Sequence, residues 1–183
     1  MGTLRYAILG LLNRRDMSGY DLTKEFETTL AEFWGAKHSQ IYPELKALAD
    51  EGLIAYQIEI SGTVLEKKVY SITERGRTAL QTWAETQLKM KSVPKDEFRL
   101  QLYFSDCIPP QRRIALLEPQ LEQHRALLDH LRENMAKFGQ VPPEGEEVFS
   151  DYLVLLGGVM REEGCCAWLE RCIALCRERL EKQ

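Results

Sequence analysis

SQIYPELKALADEGLI (39–54) runs straight into IAYQIEI (54–60), and LEKKVYSIT (65–73) follows a few residues later. In the first piece Ile41, Leu45 and Leu48 recur about one helical turn apart, which predicts an amphipathic helix. Gly52, just after Asp50-Glu51, stands where a left-handed C-cap belongs. Pro43 is expected near the first turn, where amide donors have few partners and its cost is limited. In the next piece Ile54, Tyr56, Ile58 and Ile60 alternate with Ala55, Gln57 and Glu59, as a strand requires. Ser61-Gly62-Thr63 is expected at the tip of a hairpin back into 65–73. A polar-started helix feeding a two-stranded ribbon is the layout of a winged helix-turn-helix, which sets one helix in a DNA major groove and the ribbon beside it.

Upstream, Leu4, Ala7, Ile8, Leu11 and Leu12 predict a first helix, broken at Asn13-Arg14-Arg15-Asp16. This opening lacks the charged n-region and cleavage site of a secretory leader. Ser18 with Asp21 three residues on reads as a variant capping box, and Leu22, Phe26 and Leu30 as the stripe of a second helix. Gly35 breaks the chain before the third. Thr73 is expected to cap a helix carrying Ala79, Leu80 and Trp83. Lys91-Ser92-Val93-Pro94 reads as a linker, because the residue before proline avoids helix.

Beyond it the pattern is helical only. A short helix over 95–105 would turn Phe98, Leu102 and Tyr103 inward, and Pro109-Pro110 ends it. A long helix over 111–138 carries Ile114, Leu117, Leu121, Leu128, Leu131 and Met135, near a heptad seam. A Gly/Pro turn over 139–145 leads to a last helix over 146–180. The expected fold is therefore mainly α: a winged helix-turn-helix domain over 1–91 and an antiparallel helical dimerisation domain over 95–183.

Composition narrows the function. The chain has 183 residues, 44% of them hydrophobic, enough for a sizeable core. No apolar run is long enough for a membrane span. Residues 1–91 carry 12 Lys+Arg and 12 Asp+Glu, and 92–183 carry 12 and 16, so the net charge of −4 sits in the second half. Phosphate binding depends on where cations stand more than on their total. The five cysteines are odd in number, and reduced thiols in a cytoplasm fit better than disulfides.

The pieces ILGLL (8–12), SGYDL (18–22), IYPELKALADEGLI (41–54), KVYSITERGRTALQTW (68–83), EFRLQLYF (97–104) and GGVMREEGCCAWLE (157–170) together resemble PadR-type transcriptional regulators, in the longer subfamily with a helical C-terminal domain. The resemblance implies a homodimer whose winged domain binds a palindromic double-stranded operator, usually to repress. It also implies release by a small molecule, often phenolic or drug-like. The family's Arg-Tyr-Tyr-like segment in the second wing strand is Lys68-Val69-Tyr70 here, and Glu44 accompanies Lys46 in the third helix.

At the third helix Lys37, His38, Ser39, Gln40, Tyr42 and Lys46 offer donors and acceptors for phosphates and base edges, and the helix N-terminus favours a phosphate. Ser18 and Tyr20 open the helix that crosses the DNA backbone in this geometry. Lys68 and Tyr70 are the wing's expected contacts. Trp34 and Trp168 are candidates for an effector pocket, with core or interface packing as the plainer use. Gly157 and Gly158 interrupt a leucine-rich helix and, with Trp168, Leu169 and Cys172, are expected at the dimer interface.

Cys165, Cys172 and Cys176 share one helical stripe. Small apolar packing is the simplest use, with a thiol switch or a metal site completed across a dimer axis as alternatives. One straight helix cannot converge four ligands, so no metal or cofactor is expected. His124 and His130 read as surface or packing residues, and Glu146-Glu147 and Glu162-Glu163 as solvated charges. No catalytic motif appears, which argues against an enzyme. The rival reading is a winged-helix module that docks protein without binding an operator.

Overall fold

The computed structural model describes residues 2–31, 33–61, 65–90 and 95–181. The expected linker (91–94) and wing-tip residues Gly62 and Thr63 lie outside them, as does the side chain of Ile60. The chain divides into two compact units, Met1–Lys91 and Ser92–Gln183. Among the described residues no helix is long and apolar enough to cross a membrane.

The first unit comprises α1 (Leu4–Arg14), β1 (Met17–Ser18), α2 (Gly19–Glu27), α3 (His38–Asp50), β2 (Ile54–Ser61), β3 (Leu65–Ile72) and α4 (Glu74–Ala84). The strands form an antiparallel sheet in the order β1-β3-β2, with Met17 opposite Tyr70 and Ile54 opposite Ile72. Ile8, Leu22, Phe26, Ile41, Leu45 and Leu48 close the core beneath it. Gly52 has φ +71°, the left-handed C-cap its position requires.

Several expectations are corrected. Helix α2 stops at Glu27, so Leu30 packs on the core from the following turn rather than from the helix. Pro43 is the sixth residue of α3, not a first-turn residue; the missing amide is the one that would have bonded Ser39's carbonyl, which faces solvent. Among the described side chains of the wing alternation Ile54 is buried, whereas Tyr56 and Ile58 are exposed because the ribbon extends past the core. Strand β1 was not expected; two residues are too few to carry a period.

Ser18 builds the capping box in full. Its hydroxyl donates to Asp21 Oδ2 at 2.6 Å and accepts from the Asp21 amide at 3.2 Å, while its own amide donates to Oδ2 at 3.0 Å. The Ser18 hydroxyl, opposed by partial burial and helped by the Ser18 amide and Lys67, holds the Asp21 carboxyl below its ordinary pKa. A depressed carboxyl adds stability that is complete above the unfolded pKa and lost as pH falls through the folded one. Asp21→Asn should therefore be less stable than the native chain at neutral pH, with the gap closing as pH drops below about 4. Urea unfolding at several pH values measures it, and a gap independent of pH would remove the charge from the account.

The second unit comprises α5 (Glu97–Tyr103), a 3-10 turn (Ser105–Cys107), α6 (Pro110–Ala136) and α7 (Glu147–Leu180). Phe98 and Leu102 of α5 pack on the helical core, whereas Tyr103 is exposed, contrary to expectation: seven residues present too narrow a face to bury it. Pro110 opens α6 at its first turn, where no amide is needed.

Helices α6 and α7 form an antiparallel hairpin. Glu118–Arg177, Arg125–Glu170 and Arg132–Glu163 pair at 2.8, 2.6 and 2.8 Å, each step of seven along α6 answered by seven back along α7. Exposed pairs of this kind contribute about 0.2–1 kcal/mol each, so they set register while the seam supplies stability. On α6 the seam is Leu117, Leu121, His124, Leu128 and Leu131; on α7 it is Val159, Glu162, Cys166, Leu169, Ile173 and Cys176. These positions alternate steps of three and four, a heptad seam with one polar layer. Glu162 was expected in solvent but is 3% exposed. The reason is its place in that alternation, which the neighbouring Glu163 does not share.

Candidate nucleic-acid interface

Because Ile41, Leu45 and Leu48 bury one side of α3, the opposite side faces out, and Lys37, His38, Ser39, Gln40, Tyr42 and Lys46 are all exposed. Buried Arg5 of α1 reaches under the helix to Glu51 at 2.6 Å and Glu44 at 3.4 Å. Glu44 is thereby turned toward Arg5, which offsets the acid that sequence places among the basic and polar groups of α3. Sequence reasoning missed Arg5, because a cation in an apolar stripe reads as an interruption.

At the helix start the Lys37 amide donates to Gln40 Oε1 at 3.1 Å, which leaves the Gln40 amide nitrogen to face outward. Lys37 has no side-chain acceptor, so no side chain caps the amides of the first turn. Such amides are a ready place for an anionic oxygen. The His38 and Tyr42 rings stand 4.6 Å apart. Tyr42 also lies over Gly19 at the start of α2, where a Cβ would come within 2.8 Å of its ring. That contact joins the start of α2 to the start of α3, with Tyr20 strongly exposed beside it.

On the wing, Lys68 is exposed and its Nζ sits 4.2 Å from the centre of the Tyr56 ring. Lys67 leans to Asp21 at 3.3 Å.

Two of the expected contact residues are placed otherwise. Ser18 is 3% exposed and its hydroxyl is committed to the capping box, so it supports α2 rather than meeting a ligand. Tyr70 is buried against Met17's strand and the Tyr56 ring; burial pushes its phenol pKa up against the pull of Lys68. Sequence named both because they adjoin the exposed groups; Lys68 and Tyr70 share one face of β3, but Tyr70 lies where the ribbon meets the core and Lys68 lies beyond it, opposite exposed Ile58.

The remaining named residues fall as follows. Trp34 is half-buried on the core of the first unit. Trp168 is half-buried in the second, edge-on to Phe98 with the Arg99 guanidinium 5.2 Å from its ring. Leu169 is 0% exposed within its own chain, so it belongs to the α6–α7 seam and is withdrawn from the dimer interface. Gly158 faces Leu131 of the same hairpin, whereas Gly157 opens to space. Cys172 is half-buried beside the seam.

A three-helix core with a two-stranded wing after the third helix defines the class: a winged helix-turn-helix protein with an appended helical hairpin. Residues 8–82 match the model for the transcriptional regulator PadR-like family, and residues 94–177 that for the virulence activator alpha C-terminal domain. The negative transcriptional regulator PadR of Bacillus subtilis (strain 168) is 41% identical over 178 residues, covering 96% of this chain and 98% of that protein. The crystal structure of Bacillus subtilis PadR in complex with operator DNA superimposes with TM-score 0.90 at 40% identity, covering 96% of this chain and 99% of the other. The complex of the same protein with p-coumaric acid gives 0.85 at 37% identity, with the same coverage. The chain belongs to the PadR-like family of transcriptional regulators.

Proposed function

We propose that the chain is an operator-binding transcriptional repressor that acts as a cytoplasmic homodimer and is released by a small aromatic effector. The observation that carries this is the outward side of α3, whose polar groups and uncapped first-turn amides stand on a fully buried apolar stripe. Operator DNA bound by Bacillus subtilis PadR supports it. In this reading Lys37, His38, Ser39, Gln40, Tyr42 and Lys46 meet the major groove, and Tyr20 and Lys68 meet flanking phosphates. Gln40, with its oxygen held by the Lys37 amide, donates from its nitrogen rather than pairing with adenine through both atoms.

The unit over 1–91 binds DNA and the hairpin over 95–183 dimerises. Leu153, Gly157 and Met160 form an exposed stripe at helical spacing on α7, away from the seam. In an operator-bound homodimer the two third helices stand about 34–36 Å apart, one turn of duplex. Trp168 and Phe98 supply aromatic surface and Arg99 a cation, a combination suited to a phenolic carboxylate; the p-coumaric acid complex of the relative supports that class. Trp34 serves the core of the DNA-binding unit.

The test is binding of the purified protein to genomic fragments, beginning with those from its own upstream region. Affinity for a recovered operator should fall steeply and linearly with log salt, and p-coumaric acid should release it. A partner retained without salt dependence would favour the protein-docking reading instead.

A further inference from the structure

The α6–α7 seam is apolar or thiol-lined except at one layer. There His124 Nδ1 lies 2.5 Å from Glu162 Oε2, and Arg161 Nε donates to the other Glu162 oxygen at 2.9 Å. A charged carboxylate in a helical seam costs stability unless something compensates it. One turn along α7, Cys165 faces the same spot: one donor atom from each of His124, Glu162 and Cys165 lies within 4.8 Å of the others.

We propose that His124, Glu162 and Cys165 bind a divalent transition-metal ion of the zinc class. Three features of the layer carry this. The donors come from two facing helices, one from α6 and two at i, i+3 on α7, which is how helical bundles assemble metal sites in their cores. The donor set of imidazole nitrogen, thiolate and carboxylate suits Zn²⁺ and its neighbours and not Mg²⁺ or Ca²⁺. Arg161, bonded to the oxygen of Glu162 that His124 does not use, orients the carboxylate as an outer-shell partner does.

A tetrahedral ion with bonds of about 2.0–2.3 Å holds its ligands about 3.3–3.8 Å apart. On binding, the His124–Glu162 pair therefore opens by about 1 Å and Cys165 draws in by about 1 Å, within rotamer adjustment of a half-buried cysteine and histidine. The Cys165 thiol gives up its proton to solvent as it coordinates, and His124 ligates as the neutral imidazole through Nδ1 with its proton on Nε2. Water fills the fourth position, as in sites with three protein ligands.

The plain alternative is a polar layer that fixes the register of the hairpin and binds nothing. Titrating the reduced full-length protein with Co²⁺ separates the two. The site predicts one Co²⁺ per chain, with a thiolate-to-cobalt charge-transfer band and visible bands of four-coordinate cobalt. Cys165→Ser should abolish the charge-transfer band while circular dichroism stays native. His124→Ala should weaken binding by more than the ~10–100-fold typical of an outer-shell change. Cys107→Ser and Cys172→Ser should leave the spectrum unchanged. Survival of the charge-transfer band in Cys165→Ser, or no cobalt retained by the native chain after desalting, would overturn the proposal and leave the register layer.

Discussion

Gly76→Ala is expected to destabilise the N-terminal unit by about 1–3 kcal/mol or more, the range of overpacked cores. A Cβ at this position would stand 2.1 Å from the Leu53 carbonyl oxygen and 2.8 Å from Ile72 Cγ1. The oxygen is backbone and cannot swing away. It also accepts from the Thr73 amide at 3.1 Å and the Thr73 hydroxyl at 3.0 Å, and the Gly76 amide donates to that hydroxyl at 3.1 Å. The start of α4 is thus clasped onto the turn that leaves α3, and one methyl group forces the clasp open. For a unit of this size the melting temperature should fall by roughly 5–20 °C. Gly10→Ala is the control: nothing lies within 4 Å of its Cβ, so mid-helix in α1 it should stabilise by up to about 1 kcal/mol. Equal and small effects for the two substitutions would refute the clasp.

That glycine shows where legibility in the sequence ends. Stripes of one residue class at a fixed period are plain in the sequence: Ile41, Leu45 and Leu48 predict both α3 and its outward side, and Ser18 with Asp21 predicts the capping box. Residues whose role depends on a distant segment are not. Gly76 looks like one glycine in YSITERGR until Leu53 is brought against it. Arg5 looks like an interruption until Glu44 and Glu51 arrive from 40 positions or so downstream. Leu121 and Leu128 stand one full heptad apart with no apolar residue at the seam position between them; His124 occupies it, and its partner Glu162 fills the matching step on α7. A polar residue on a seam breaks the apolar pattern by which seams are recognised, so the position that most needs a partner is the one periodicity hides. The exposed side of α3 is legible as a segment, whereas Ser18 and Tyr70 turn inward, because a list of polar neighbours shows neither that Ser18 closes a cap nor that Tyr70 lies where the ribbon meets the core.

Ser39→Glu should separate folding from DNA binding, moving the two in opposite directions. Ser39 is the second residue of α3, exposed, in a first turn whose amides have no side-chain cap. An acid there complements the helix dipole, so the fold should hold its stability or gain about 0.3–1 kcal/mol. In the proposed operator complex the same charge faces the place where duplex phosphates approach. Like charges set against each other across an interface cost several kcal/mol, and each ~1.4 kcal/mol is tenfold in affinity. Operator binding should therefore weaken by about 100-fold or more, the effect enlarged because a dimer presents the charge twice. Ser39→Ala removes one hydroxyl and no charge balance, and should cost far less. Fluorescence anisotropy on a recovered operator, alongside thermal unfolding, reads both quantities. A Ser39→Glu protein that melts no lower than the native chain and still binds with native affinity would take α3 out of the groove, and the assignment of Lys37, His38, Gln40, Tyr42 and Lys46 would go with it.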